Sequence, residues 1–552
     1  MMPVVSKAKV SGLLRRAFPA VQAAFLRLQA QPWLRIAVLL LAGVIAALRF
    51  FHLEADFPND SPWAIDQAKF TDEGWWAGAA VAHAITGHWY IAGDYNPAVA
   101  LPVWPLLLSA VFHFTGVSIL AARSLSVAFS VATLALVYLL VRRYTHSGSH
   151  LPAVCAVYLL ALSPFAFVFS RLAILDALVV FEFCLTLLLV SFATPRRAWP
   201  LAVAALLVFA MLLTKTTAAA LVPAILWLAL AAKGRNLRAI SQAILAVAVA
   251  PVLLLKGYAA LVAALGHGAD YKYFFQVNAM EDFDPSQSLA TLAQLLHNCF
   301  WIDRVLYPAG LAILVLSVVW IRKLWSNPLY AGAWLAFAAQ ALYIFRRQED
   351  YAPRYFLVML VPLIWIVVLA LDEFLAHPVS MAASPSSAVA PTPSSSLPQL
   401  SENSAKANRP RQIRAVAAAL LLVAIAASLT ANARLLAQFL VHRQSQFYDA
   451  AQSIRAIIRS HPEQRPMMLG VSGSQLSLMT GIPSIGDGDG AEDGSERVAH
   501  DKPGWYLVWT GLSTDVPPFL SRYQLEEVAS YPVFDDPGRT PLILCKVMPR
   551  AR

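Results

Sequence analysis

Apolar runs of bilayer-crossing length, separated by small clusters of lysine and arginine, fill this chain from Arg35 to Leu435. A hydrocarbon core needs about 20 apolar residues per helical crossing. Runs that meet this lie near 35–51, 119–141, 151–169, 174–193, 199–214, 217–232, 240–264, 304–321, 328–345, 354–375 and 413–435. They predict an all-α polytopic membrane protein with about eleven transmembrane helices. Only 13% of the 552 residues are charged and 59% are hydrophobic. Soluble domains carry about a quarter charged residues, so an array of soluble domains is excluded. Four cysteines cannot build a disulfide framework in such a chain. Cys155 and Cys184 fall inside apolar runs and read as buried thiols, while Cys299 and Cys545 could pair only if both face an oxidising compartment.

The net charge of +10 distributes as a topology signal, not as a nucleic-acid signal. Residues 1–34 form a basic amphipathic N-terminus with Lys7, Lys9, Arg15, Arg16 and Arg27. That places the N-terminus in the cytoplasm. The first apolar run has no small-residue cleavage site after it and reads as an anchor. The loop 54–118 begins with Glu54, Asp56, Asp60, Asp66, Asp72, Glu73 and Asp94 against Lys69 and reads as outside. Within it, Ala98 to Gly116 is apolar enough to be counted as a span. That count would move Arg142–Arg143 and every later basic cluster to the outside. Read as an amphipathic helix on the outer surface, it leaves Arg142–Arg143, Arg196–Arg197, Lys233–Arg235–Arg238 and Arg322–Lys323 inside, as the positive-inside rule demands. Pro97, Pro102 and Pro105 also suit a broken surface helix.

On this reading residues 35–376 form one transmembrane domain. Residues 377–412, rich in proline, serine and alanine, form a disordered cytoplasmic linker. The last span, 413–435, delivers residues 436–552 to the outer side. There the apolar runs shorten to strand length at Met467–Val471, Trp505–Thr510 and Leu542–Val547, with a polar helix near Phe447–Arg459. These predict a small soluble α/β domain. No internal repeat is visible, which disfavours a transporter built from inverted repeats.

Charged residues at the outer ends of the spans are the candidates for chemistry. Thr71-Asp72-Glu73-Gly74-Trp75-Trp76 sets two carboxylates before aromatic residues suited to the membrane interface, where partial desolvation favours a base. The same residues also read as a helix start, with Thr71 capping and the two acids at the positive end of the dipole. Ser170-Arg171-Leu172-Ala173-Ile174-Leu175-Asp176 reads either as a structural Arg171–Asp176 ion pair or as an outward arginine able to hold phosphate. Lys215, in Leu-Leu-Thr-Lys-Thr-Thr, is either a snorkelling lysine or a phosphate contact. Arg346, Arg347, Arg354 and Tyr355 gather at another outer mouth, and Arg123 opens the second span. Basic residues outside run against the charge bias, and an anionic ligand would explain them. Glu182 lies deep in a span and reads as a paired structural acid. The Gly486–Gly490 stretch lacks the glycine and glutamate of a calcium loop, with Glu492 and Val498 at those positions, and reads as a flexible turn. His83 and His88 have no partners at ligand spacing, so no metal site and no cofactor are proposed. No phosphate-cradling nucleotide loop, nucleophile elbow or zinc-protease motif occurs, which leaves an ATP-driven pump or such a protease unsupported.

The order Asp72-Glu73-Gly74-Trp75-Trp76-Ala77, Asn96-Pro97 with Pro102, Phe114-Thr115-Gly116-Val117 and Ala122-Arg123-Ser124-Leu125-Ser126 resembles the GT-C membrane glycosyltransferases that use polyprenyl-phosphate sugars. These include protein O-mannosyltransferases, the aminoarabinose lipid A transferase and the lipid A-core galacturonosyltransferases. Ser170–Asp176, Leu213-Thr214-Lys215 and Pro353-Arg354-Tyr355 resemble later outer-turn motifs of the group. The resemblance spans about residues 35 to 375. It implies a GT-C fold with a surface helix after the first loop. It also implies a multi-pass protein of the bacterial inner membrane with a periplasmic C-terminal domain. By this resemblance Asp72, with Glu73 beside it, matches the catalytic carboxylate. Arg171, Lys215, Arg354, Tyr355 and Arg123 become donor-phosphate contacts, with Asp176 and Asp94 supporting. The implied partners are a polyprenyl-phosphate sugar donor, a lipid, glycan or protein acceptor, and membrane lipid, without nucleic acid. One displacement would invert the anomeric carbon. The group often has Lys-Pro-Pro or His-Pro-Pro where this chain reads Asn96-Pro97-Ala98, which leaves the acceptor open. The rival readings are a transporter of lipid-linked sugars or solutes, and a non-catalytic envelope assembly protein on the same fold.

Overall fold

The computed structural model describes residues 31–56, 71–346, 353–376 and 399–549, apart from 90, 92, 95, 147–148, 195, 235, 279–283, 299–302, 320, 471, 487–493, 510–519, 521 and 534–540. Cys299, Arg347 and the acidic turn 487–490 lie outside the described residues. The protein is a multi-pass membrane protein. Among the described residues seven helical segments are long and apolar enough to cross a bilayer: Pro32–Phe50, Ile119–Tyr144, Thr216–Lys233, Leu237–Ala264, Pro328–Arg346, Pro353–Leu375 and Val416–Ser460. Shorter apolar helices occupy Leu151–Ala161, Trp199–Thr214 and Leu306–Val319, at positions counted as spans in the sequence. The helix Asp176–Ser191 fills another. The count of about eleven therefore includes helices too short to cross on length alone.

Pro353–Leu375 is the central element, with 94% of its apolar window buried. It packs against Pro328–Arg346, Leu151–Ala161, Leu306–Val319 and the long helix Gln399–Val441. That long helix begins within the linker expected over 377–412, so its last part, 399–412, is helical. Residues 377–398 lie outside the described residues.

The stretch 98–116 folds as the sequence suggests for a surface element. Its helix, Val103–Thr115, is 13 residues long and lies against the Glu73–Thr86 helix. Trp104, Leu108 and Phe112 are buried, while Leu106 and Phe114 are exposed. Gly116, at φ 69°, adopts the left-handed region that ends the helix and lets the chain turn into the next span. Ser118 then caps Ile119–Tyr144 through the amide of Ala121.

The two ends of the bundle differ in chemistry. Near the far end of Ile119–Tyr144, Arg142 donates to Ser149 O, Arg143 to Ser191 O, and the His146 amide to Asp372. Lys323 lies 3.3 Å from Glu373. The opposite end carries the first loop and the C-terminal domain.

That domain holds a five-stranded mixed sheet in the order β2-β1-β3-β5-β4. The strands are β1 (Met468–Leu469), β2 (Ser484–Ile485), β3 (Trp505–Trp509), β4 (Tyr523–Tyr531) and β5 (Leu542–Pro549). β1 runs parallel to β2 and β3, whereas β5 is antiparallel to β3 and β4, with Trp505 opposite Lys546 and Tyr523 opposite Pro549. The helix Gln446–Ser460 buries Phe447, Ala450, Ala451, Ile454 and Ile458. Their 3–4 residue spacing is the stripe of an amphipathic helix. The domain does not close its core alone. One apolar cluster joins Ala77, Ala80, Trp104 and Leu108 of the first loop to Ile454, Leu476, Leu478 and Trp505. A sheet this small gains apolar cover by sharing it with its neighbour.

Candidate functional site

Asp72 directly precedes the Glu73–Thr86 helix, yet its side chain makes no capping bond. One carboxylate oxygen accepts from the Thr71 hydroxyl at 3.0 Å, and the other lies 2.5 Å from Arg354 Nη2. Thr71 thus serves Asp72 and is not the helix cap that the sequence offered. Asp72 is 5% exposed. Arg354 sits in the turn Pro353–Phe356 that leads into Leu357–Leu375. A cation at a helix N-terminus is unfavourable with respect to the dipole, and the Asp72 carboxylate offsets it.

Tyr355 connects this pair to a second one. The Lys215 ammonium lies 4.7 Å from the Tyr355 ring centre and the Arg354 guanidinium carbon 5.4 Å. Lys215 ends the helix Trp199–Thr214 and its Nζ donates to Asp176 at 2.7 Å. Asp176 opens Asp176–Ser191. The cation at one helix's C-terminus and the anion at another's N-terminus each suit the local dipole. The Arg171–Asp176 pair suggested by the sequence does not form, because Asp176 takes Lys215. Arg171 instead donates to His52 O and lies over Phe167 and Phe439.

Behind Asp72, Glu73 is fully buried and forms a closed node. Arg123 grips it with two bonds, Nε to Oε1 at 2.8 Å and Nη2 to Oε2 at 2.7 Å. The Ala173 amide donates to Oε1 at 2.7 Å and Gln475 Nε2 to Oε2 at 3.1 Å. The other Arg123 amino group donates to Leu53 O and Ala55 O. Glu73 and Arg123 are therefore committed to each other and to the backbone, which sets them apart from the open pairing of Asp72. Asp94 is drawn elsewhere, 2.6 Å from Arg497 of the C-terminal domain and accepting from the Gly486 amide at 3.0 Å. Glu182 accepts from Thr214 at 3.1 Å. Partial burial pushes the Glu54 carboxyl up, but the His52 hydrogen bond, a backbone bond and the His52 and Arg171 charges outweigh this and hold it below the ordinary range.

The arrangement of helices matches solved membrane proteins over nearly the whole chain. ArnT from Cupriavidus metallidurans bound to undecaprenyl phosphate aligns with a TM-score of 0.53 at 14% identity, covering 92% of this chain and 97% of that one. Its apo form aligns at 0.51 and 15% identity, covering 93% and 98%. The chain has the GT-C fold. The apo oligosaccharyltransferase of Archaeoglobus fulgidus, also GT-C, aligns at 0.51 and 14% identity, covering 94% of this chain and 75% of that one. Residues 97–272 match the family described as dolichyl-phosphate-mannose-protein mannosyltransferase. No curated protein sequence matches the chain.

Within this GT-C fold the structure brings together Asp72, Arg354, Tyr355, Lys215 and Asp176, from four separate segments. It sets Glu73 and Arg123 beside them as a support and turns Arg171 and Asp94 to other partners. Sequence reasoning missed Gln475. A glutamine in a soluble-looking segment carries no signal of a carboxylate partner 402 positions earlier.

Proposed function

We propose that this protein is an inverting glycosyltransferase that moves a monosaccharide from a polyprenyl-phosphate donor to a lipid, glycan or protein acceptor. The reaction takes place at the outer face of the bacterial inner membrane. The observation that carries the reading is the Asp72–Arg354 pair, joined through Tyr355 to Lys215 and Asp176. It gathers two acids and two cations at the loop-bearing end of a GT-C bundle. The match to a structure holding undecaprenyl phosphate supports a lipid-phosphate donor.

In this reaction the acceptor oxygen or nitrogen attacks the anomeric carbon as the bond from that carbon to the phosphate oxygen breaks. The acceptor proton passes to Asp72. The electron pair leaves with the polyprenyl phosphate, and Arg354 and Lys215 meet its growing charge. The donor phosphate competes with Asp72 for Arg354, so donor binding frees the carboxylate for the acceptor. Arg171 has a further contact to give, since its Nη1 is buried without a hydrogen-bond partner among the described residues. Charge concentrated at one end, with paired charges at the other, argues against a transport path lined through the bundle.

The test is full-length protein in nanodiscs incubated with radiolabelled polyprenyl-phosphate sugars and envelope acceptor fractions. Label should move from donor to acceptor, and Asp72→Asn should lower this by about a hundredfold or more with the fold intact. Full transfer by Asp72→Asn would remove Asp72 from the mechanism.

A further inference from the structure

The first amides of a helix have no acceptor within the helix and take one from a capping side chain. In the Glu73–Thr86 helix the preceding residue is Asp72, a favoured capping type, yet it makes no such bond. The Gly74 amide donates instead to Gln475 Oε1 at 2.8 Å. Gln475 lies in the helix Gly473–Thr480 of the C-terminal domain and is fully buried. Its amide nitrogen donates to Glu73 Oε2 at 3.1 Å. One side chain from the far end of the chain thus serves both residues that follow Asp72. The backbones approach so closely that a Cβ on Gly74 would stand 2.2 Å from the Gln475 nitrogen.

We propose that Gln475 is a positioning residue. By capping the helix in place of Asp72 and steadying Glu73, it keeps the Asp72 carboxylate turned to Arg354, which makes the C-terminal domain a working part of the site. The assignment of a reaction step to Asp72 rests on the proposed function, whereas the orientation of Asp72 does not. Without Gln475 the Gly74 amide lacks its acceptor, and Asp72, now helical at φ −69° and ψ −37°, can supply one by swinging its backbone to the extended form of an N-cap. Asp72 would then leave Arg354.

The test pairs Gln475→Met, close in volume, with Arg497→Met, which removes the Asp94 contact between the same two parts without touching Glu73 or Gly74. With a radiolabelled polyprenyl-phosphate sugar as probe, Gln475→Met should lose about tenfold or more in kcat, since small misplacements of a reacting group are costly. The donor KM should not rise, since Asp72 leaving Arg354 removes an anion that competes with the phosphate, and Arg497→Met at a matched thermal midpoint should keep wild-type kcat. A structure of Gln475→Met in nanodiscs should show the Asp72 carboxylate on the Gly74 amide and off Arg354. This second readout needs no activity, so it holds if no transfer is found in the wild type. Asp72 still on Arg354 in that structure would overturn the proposal, as would equal kcat losses in the two variants.

Discussion

Asp72 Oδ2 and Arg354 Nη2 stand 2.5 Å apart, joining the start of the Glu73–Thr86 helix to the start of Pro353–Leu375, the most deeply buried span among the described residues. The contact couples the acid to a helix that is packed on nearly every side. It also gives Arg354 two competing anions, the carboxylate and any incoming phosphate.

Arg354→Ala should therefore lower transfer by about a hundredfold to a thousandfold, the range seen when one donor to a developing anion is lost. Arg354→Lys should recover little, because an ammonium lacks the guanidinium's planar fork. Steady-state rates against donor concentration, with Tyr355→Phe as a reference that keeps the ring, check this.

Arg123→Met should unfold the end of the bundle that carries the first loop and the C-terminal domain. It leaves the Glu73 carboxylate buried with its main partner gone, a change that costs about 3–5 kcal/mol. Adding Glu73→Gln removes the stranded charge and should recover part of the loss. Thermal unfolding of both variants in one detergent measures the difference.

Gly74→Val should separate the C-terminal domain from the first loop, since its Cβ would collide with backbone atoms of Ser474 and Gln475. Gly78→Ala, one turn on, meets nothing within 4 Å and should stabilise the helix by about 0.5–1 kcal/mol. Limited proteolysis should cut the valine variant faster than wild type and leave the alanine variant unchanged.

The Cys545 thiol should resist alkylation in the folded protein. Burial and then the Glu527 charge push it up to about 11, so at pH 8 roughly one thiol in a thousand is ionised. Maleimide labelling followed over time at pH 8 should stay slow in wild type and become fast in denaturant.

Much of the bundle was legible because lipid imposes one rule on every crossing. The Trp199–Thr214 helix has the bounds its apolar run suggests, and the proline-marked stretch 98–116 holds a helix of only 13 residues, as its prolines suggest. Asp72, Lys215 and Arg354 stood out for a related reason: charge near lipid depth is costly and does not persist without a partner or a purpose. The partners themselves were not legible. Asp176 had two cations within plausible reach, and only the packing of Trp199–Thr214 against Asp176–Ser191 selects Lys215 over Arg171. Glu73 looked equivalent to its neighbour Asp72. Successive helical residues point about 100° apart, so one faces the buried Arg123 and the other the Arg354 mouth.

The Glu73 node also has a consequence for biosynthesis. Its ligands come from positions 123, 173 and 475, so a ribosome finishes every crossing up to 413–435 before Gln475 has emerged. A nascent chain whose helices are already made carries Asp72 on an unfinished support until the C-terminal domain has folded and docked. The support of Asp72 is thus the last part of the fold to be completed, after every crossing is in place.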